Sequence, residues 1–415
     1  MTLSSTTRTR LAWAGFALLL ALAPQFVPGH QAVGLFAQMG IAVVACLSYN
    51  LLLGQGGMLS FGHAVYTGLG AYATIHLLLQ VSQAGWPVPV ALLPLGGGVA
   101  GLGFAAVFGF VTTRKSGTPF AMITLGLGEL AFAGALMLPE WSGGEAGLSA
   151  NRVVGEAVWG ITWGPGIQVY YLIAGYTLLC AWLMHAFTRT PLGRLLNAVR
   201  DNPERVAFIG YDARAVRYLA FMVSGFFAGV AGGLGALWFE IVTSEVLGPV
   251  RSGAYLLFTF LGGAGFFLGP VVGGVLMVLT TVWWAKLTPA WLLYLGLVFM
   301  FMVMYAPGGL LSLSARARRW LTRPGADRPL WRLAALAVSG GLTALGAAAM
   351  VEMLYHRQWQ AAMGPELGFL GLVLRTDMPS HWLSALALAG LGGASLAWLQ
   401  RCGRAKAGLA EGGRP

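Results

Sequence analysis

Apolar runs of about twenty residues, divided by short polar connections, fill most of the chain, and a run of that length spans a bilayer as a helix. The candidate spans are Leu11–Val27, Ala32–Leu53, Gly62–Leu79, Val88–Thr113, Phe120–Leu138, Val169–Phe187 and Tyr218–Trp238. They continue with Leu256–Trp284, Trp291–Ala306, Leu333–Leu354 and Leu383–Leu399. The pattern predicts an all-α, polytopic integral membrane protein of about 10–11 spans. Leu11–Val27 follows Arg8 and Arg10 and ends near the triplet Ala21-Leu22-Ala23, a layout shared with signal peptides. Further spans follow at once, so it reads as an uncleaved first helix.

The longest polar interruption is Thr188–Arg217, which carries Arg189, Arg194, Arg200, Arg205, Arg214 and Arg217 against Asp201, Glu204 and Asp212. Clustered arginines between two spans stay in the cytoplasm, because translocating them is costly. Within the loop, Asp201-Asn202-Pro203-Glu204 offers a helix cap, a first-turn proline and an early acid. Val206, Phe208 and Ile209 then form a short apolar face before Gly210 stops the helix. A short amphipathic helix at the membrane surface is predicted there, and it needs something to dock against.

Arg114 and Lys115 fall on the same cytoplasmic side. The segment from Pro139 to Gly166, with Glu140, Glu145 and Glu156 against Arg152, falls outside. The arginines at 316, 318, 319, 323, 328 and 332 also belong inside, yet a single crossing at Leu256–Trp284 would put them out. A broken or re-entrant passage at Leu261–Pro270 restores the parity. Irregular backbone at that depth is tolerated only where protein or a cavity satisfies it.

Composition narrows the class. The 415 residues are 57% hydrophobic and only 9% charged, which excludes a large-cored soluble protein. The 61 glycines lie inside apolar runs, where they permit close helix approach or break helices that line a pathway. The net charge of +11 sits mainly in loops and tail segments expected beside anionic lipid, and is not a nucleic-acid signature. Cys46, Cys180 and Cys402 are odd in number and far apart, giving neither a disulfide framework nor a metal site. No Walker-type GxxxxGK[ST], paired carboxylates, Ser/His/Asp order or HExxH is present, so the chain itself is not read as an enzyme.

The candidate chemistry clusters at two interruptions. Gly54–His63 holds Gly56, Gly57, Ser60, Gly62 and His63, with Asn50 just before and Tyr66 just after. Either this is a broken helix exposing backbone to a solute pathway, or a tight interhelical turn packed by small residues. His63 has no second ligand at helical spacing and reads as a histidine bonded to backbone. Leu261–Pro270, with Gly262, Gly263, Gly265, Gly269 and Pro270, has the same character some 200 residues later and is a possible partner half-helix. Glu129, inside Phe120–Leu138, is either a pathway or proton site, or a partner for an arginine across the bundle.

Several stretches resemble the inner-membrane permeases of ABC importers for branched-chain amino acids, specifically their M-type subunits. They are SYNLLLGQGGMLSFGHAVYTGLGAYA (Ser48–Ala73), TPFAMITLGLGEL (Thr118–Leu130), SGGEAGL (Ser142–Leu148) and the long segment Thr190–Leu237. LGGAGFFLGPVVGG (Leu261–Gly274) and APGGLL (Ala306–Leu311) complete the set in family order. The resemblance implies a permease domain over residues 1–312. The family normally ends near Leu311, so the basic cytoplasmic segment (313–332) and the extension with two further spans (333–415) depart from it and have no role assigned by it. It also implies a paired H-type permease, two cytoplasmic ATPase subunits that bind ATP and Mg²⁺, and a periplasmic substrate-binding protein. No cofactor is implied on this chain. The coupling helix then falls on Asp201–Gly210, with Arg194, Arg200, Asn202, Glu204, Ala207 and Gly210 at the family's motif positions. The family also contains urea and amide importers, and a proton-coupled secondary transporter working through Glu129 is the rival reading from a different class.

Overall fold

The computed structural model describes residues 5–26, 29–86, 88–153, 162–321, 330–359, 364–369 and 372–411. Glu156, Arg323 and Arg328 lie outside the described residues. In chain order the helices are α1 (Ser5–Phe26), α2 (His30–Asn50, continued by a wide π turn over Leu51–Gln55), α3 (His63–Ala84), α4 (Leu93–Thr112), α5 (Thr118–Met137) and the single turn α6 (Pro139–Ser142). Then come α7 (Gly166–Arg189), α8 (Pro191–Asp201), α9 (Pro203–Phe208), α10 (Ala213–Phe239), α11 (Pro249–Gly262) and α12 (Gly269–Val278). After these come α13 (Ala285–Leu287), α14 (Trp291–Tyr305), α15 (Gly309–Leu321), α16 (Leu330–Trp359) and α17 (Pro379–Glu411).

Among the described residues, eight helices are long and apolar enough to cross a membrane. A ninth is added if the bent pair Trp291–Tyr305 and Gly309–Arg316 is one span, and Arg10–Phe26 is a shorter apolar helix. This is a polytopic all-α membrane protein. Three of the eleven apolar runs are not among these eight: Leu11–Val27 falls in the shorter helix Arg10–Phe26, Trp291–Ala306 in the 15-residue α14 of the bent pair, and Leu383–Leu399 in α17.

The chain forms two compact units, residues 1–283 with 297–317, and residues 284–296 with 318–415. In the first, the α4 glycines and alanine at 97, 101, 105 and 109 recur every four residues, as do those of α10 at 225, 229 and 233. These stripes face each other antiparallel, with Gly97 against Gly229 and Gly101 against Gly225. Small side chains let the two backbones touch, which is how helices associate without a hydrophobic driving force. Gly70 of α3 also packs on Gly229, so three helices meet along one seam.

Two buried clusters lie above and below that seam. One gathers Leu69, Tyr72, Ile75, Leu78, Leu93, Leu237 and Leu247. The other gathers Leu52, Met58, Tyr66, Phe120, Leu196, Val199, Val206 and Phe221 at the end that carries Arg114, Arg194 and Arg200. Opposite this arginine-rich end, Leu148–Ser149 (β1) pairs antiparallel with Ile241–Val242 (β2).

In the second unit α16 and α17 form an antiparallel hairpin through small residues, with Gly346 against Ala385 and Ala389, and Gly392 against Ser339 and Thr343. Glu366–Phe369 (β3) and Leu372–Arg375 (β4) pair between them, and Arg375 Nη2 holds Glu366 Oε1 at 2.7 Å. Glu352 of α16 is buried and accepts hydrogen bonds from the hydroxyls of Thr288 and of Tyr294, the latter at 3.1 Å.

Candidate functional site

The first interruption, Gly56–Gly62, is bonded to α2 and α5, and the helix ends beside it to α10 and α11. After the π turn the chain doubles back, and the Met58 amide donates to the Leu52 carbonyl at 2.9 Å. Gly57 takes a positive φ of 63°, which favours glycine there. The Tyr49 hydroxyl donates to the Ser60 carbonyl at 2.9 Å, and the Phe61 amide to Thr124 Oγ1 of α5 at 3.1 Å. At the start of α3, the Ala64 amide donates to Ser252 Oγ of α11 at 2.9 Å. Ser224 Oγ of α10 donates to the Ser48 carbonyl at 2.6 Å.

His63 is fully buried, and its Nε2 lies 2.9 Å from Ser48 Oγ, with the rings of Tyr49, Tyr66 and Tyr255 around it. The expected backbone partner of His63 is therefore a side-chain hydroxyl instead. Breaking a helix inside a bilayer frees amides and carbonyls that must be paired internally, and these hydroxyls pair them. Beside the break, three buried polar atoms have no hydrogen-bond partner among the described residues: Asn50 Oδ1, Ser60 Oγ and His63 Nδ1.

The second interruption differs in place. Phe258 packs on Gly273 and Gly262 on Gly269, so α11 and α12 run antiparallel and Gly263–Leu268 is the turn between them. The turn lies at the arginine-rich end, with the Ala264 carbonyl over Gly54 and the Gly308 carbonyl over Gly263. Gly263 has φ 117°. The irregular backbone inside the bundle is found earlier, between Glu240 and Gly248, where Leu247 packs on Gly68 of α3. The passage α10–α11 thus returns to the arginine-rich end and α12 leaves it, so the chain does reverse within Leu261–Pro270 as expected, by a turn at the bundle end rather than a break within it.

Sequence residues predicted for a pathway therefore fall in two places. Asn50, Gly56, Ser60, Gly62, His63 and Tyr66 are buried and Gly57 exposed at the first interruption. Gly262, Gly263, Gly269 and Pro270 are buried and Gly265 exposed at the turn. Glu129 is exposed on α5, one residue from Gly128, whose Cβ position lies 3.5 Å from Gly62.

The arginine loop holds two helices. Thr190 caps α8 by accepting from the Gly193 amide at 3.2 Å, and Asn202 caps α9 by accepting from the Arg205 amide at 3.0 Å. Gly210 ends the segment with φ 90°. Leu196 and Val199 of α8, with Val206 of α9, are buried in the arginine-end cluster. Phe208 and Ile209 are 92% and 70% exposed, so the predicted apolar face is split: Val206 anchors and the other two project. Arg194, Arg200, Glu204 and Ala207 are exposed, and Asn202 is half-buried.

The link from α8 to the first interruption is direct. The Arg200 guanidinium donates to the Gly54 carbonyl, and its Cγ lies 2.7 Å from the Cβ position of Gly57. Asn197 Nδ2 donates to Gln55 Oε1 at 2.9 Å.

Two sites were missed by the sequence reading. The hydroxyls of Ser48, Thr124, Ser224 and Ser252 carried only the weak signal of polar residues in apolar runs. At the opposite end, Arg152 bonds Glu240 (3.6 Å) and the carbonyls of Trp163, Gly164, Leu237 and Trp238, fastening the β1–β2 ribbon.

A family model described as branched-chain amino acid transport system / permease component matches residues 31–307. The high-affinity branched-chain amino acid transport system permease protein LivM of Escherichia coli (strain K12) is 27% identical over 319 residues, covering 72% of this chain and 74% of that protein. The autoinducer 2 import system permease protein LsrC of Enterobacter sp. (strain 638) is 28% identical over 328 residues, covering 74% and 85%. A probable branched-chain amino acid transport permease protein LivM of Methanocaldococcus jannaschii is 23% identical, covering 66% and 90%. No solved structure matches. With a family match over two thirds of its length, on the span that contains both interruptions and the arginine loop, the chain belongs to the branched-chain amino acid transport system permease family.

Proposed function

We propose that this chain is the M-type permease subunit of an ABC importer that carries branched-chain amino acids across a bacterial inner membrane. A second, H-type permease would complete the channel, two ATPase subunits binding ATP and Mg²⁺ would dock on α9, and a periplasmic binding protein would deliver the cargo. Such binding proteins impose most of the selectivity. That fits a family in which relatives of similar identity are named for branched-chain amino acids and for autoinducer 2.

The observation that carries the proposal is the wiring of the arginine loop. The projecting residues Phe208 and Ile209, with Glu204 and Ala207, offer an uncovered surface on a short capped helix. Behind it, α8 holds Gly54 through Arg200 and Gln55 through Asn197. A rigid-body displacement of α9 by closing ATPases would therefore reach the first interruption without an intervening loop, biasing one of two packed states. The arginines on this side support a cytoplasmic position for it, since clustered basic residues are costly to translocate.

Purification from detergent-solubilised native membranes tests the assembly: two ATPases and a second permease should copurify. Recovery of the chain alone, together with proton-driven uptake in ATP-free vesicles, would overturn the reading and move attention to Glu129. For the docking helix, Glu204→Arg or Gly210→Val should abolish uptake while membrane insertion stays normal. Wild-type uptake by either variant at normal expression removes the role given to α9.

A further inference from the structure

Two charged side chains face outward at a depth where a bilayer is least polar. Glu129 stands about three turns, or about 16 Å, along α5 from Thr118, and Arg251 stands the same distance back along α11 from Gly262. Both helix ends belong to the arginine-rich side, so both charges lie near the middle of a hydrocarbon core about 30 Å thick. Packing fixes the depth independently. Gly128, beside Glu129, lies against Gly62, and Ser252, beside Arg251, accepts from the Ala64 amide. The two charges therefore flank the junction of the first interruption with α3.

Both residues are exposed, and neither has an ion-pair partner among the described residues. The Arg251 guanidinium sits over the Tyr255 ring at 5.9 Å, and its Nε approaches the Tyr255 hydroxyl at 3.4 Å. An unpaired ionisable side chain at this depth is too costly against lipid, so it faces a partner or a wet passage. One cation and one anion at a single depth match the two ends of a zwitterion. Arginine takes a carboxylate with two parallel hydrogen bonds. The α11 N-terminus, with Pro249 in its first turn, adds its positive end at the same place.

Resting on the importer reading above, we propose that Arg251 and Glu129 form a transient station for a zwitterionic α-amino acid in the assembled channel. Arg251 takes the carboxylate and Glu129 the ammonium. No bond is made or broken, and occupancy stays weak enough for release.

The test uses the complete transporter reconstituted in vesicles, with leucine as the probe. Arg251→Gln and Glu129→Gln should each lower leucine uptake per ATP hydrolysed about tenfold or more, the size of one lost charge-assisted hydrogen bond. ATP hydrolysis stimulated by the binding protein, and copurification of the second permease, should stay intact. Glu129→Asp, which keeps the charge, should recover most of the uptake, and Arg251→Lys, which keeps the charge but loses the second parallel hydrogen bond, should recover part of it. Unchanged uptake in the Gln variants overturns the station while leaving the importer reading in place. Loss of the second permease from those variants also overturns it, since the charges would then be pairing between subunits. A wild-type complex that moves no amino acid overturns both readings, and that failure shows before any variant is made.

Discussion

The interruption at Gly56–Gly62 is held from several sides by hydroxyl groups, whereas the one at Gly263–Leu268 is held by backbone packed against backbone. At the first, Ser48, Tyr49, Thr124, Ser224 and Ser252 bond the interrupted segment or the helix ends beside it. At the second, the groups facing Gly262, Gly263 and Gly269 are backbone atoms of the same hairpin and of Gly308–Gly309. Directional bonds can be exchanged for others of similar strength, and the unpartnered Asn50 Oδ1, Ser60 Oγ and His63 Nδ1 lie ready beside them. Steric contact offers no such exchange. The first interruption is thus held in large part by side-chain hydroxyls and the second by backbone contact, although their letters are alike.

The difference is sharpest at Gly269. A Cβ there would run into the carbonyl group of Gly263, with the Gly263 Cα at 3.1 Å behind it, and neither can retreat as a side chain would. Gly269→Val should cost about 3 kcal/mol or more and remove most of the folded chain, measured as the monodisperse fraction in mild detergent. Recovery at the wild-type level would mean that the hairpin yields, and the contrast would fail.

At the first interruption Ser48→Ala strands His63 Nε2 in a buried site. The expected loss is about 2 kcal/mol, read as a lowered thermal midpoint with a normal yield of folded protein. A still smaller effect is expected where α8 meets the same segment. Asn197→Ala removes one half-buried hydrogen bond to Gln55, worth about 1 kcal/mol. Its thermal midpoint should fall slightly, and uptake per ATP hydrolysed should fall further than that midpoint implies. Equal uptake would separate α8 from the interruption it touches.

Much of this was legible in the letters. Span length marked α2 to α5, α7 and α10, and Asn202-Pro203-Glu204 marked α9 because cap, first-turn proline and early acid are local chemistry. Depth was not legible. The run Leu256–Trp284 looked like the place for irregular backbone, but hydropathy cannot tell a turn at the bundle end from a break within it. The irregular passage through Leu247 reads as an ordinary polar connection, with Thr243, Ser244 and Glu245 beside it. Arg251 escaped for the same reason, since its span seemed to start at Leu256. The partner of His63 was hidden because a serine one helix away leaves no periodic trace.

Gly265 gives the finest test of the comparison. It sits inside the same turn as Gly263, two residues on, yet a Cβ there meets nothing within 4 Å, and its φ lies outside the left-handed range. If the turn is fixed by contact at particular atoms rather than by glycine flexibility in general, Gly265→Ala should change stability by no more than about 0.5 kcal/mol. Chain entropy lost by the unfolded state would favour the alanine slightly. The thermal midpoint and the monodisperse fraction should both match wild type. A loss comparable to that of Gly269→Val would show that the whole turn must flex. The two interruptions would then be alike in mechanism as well as in letters.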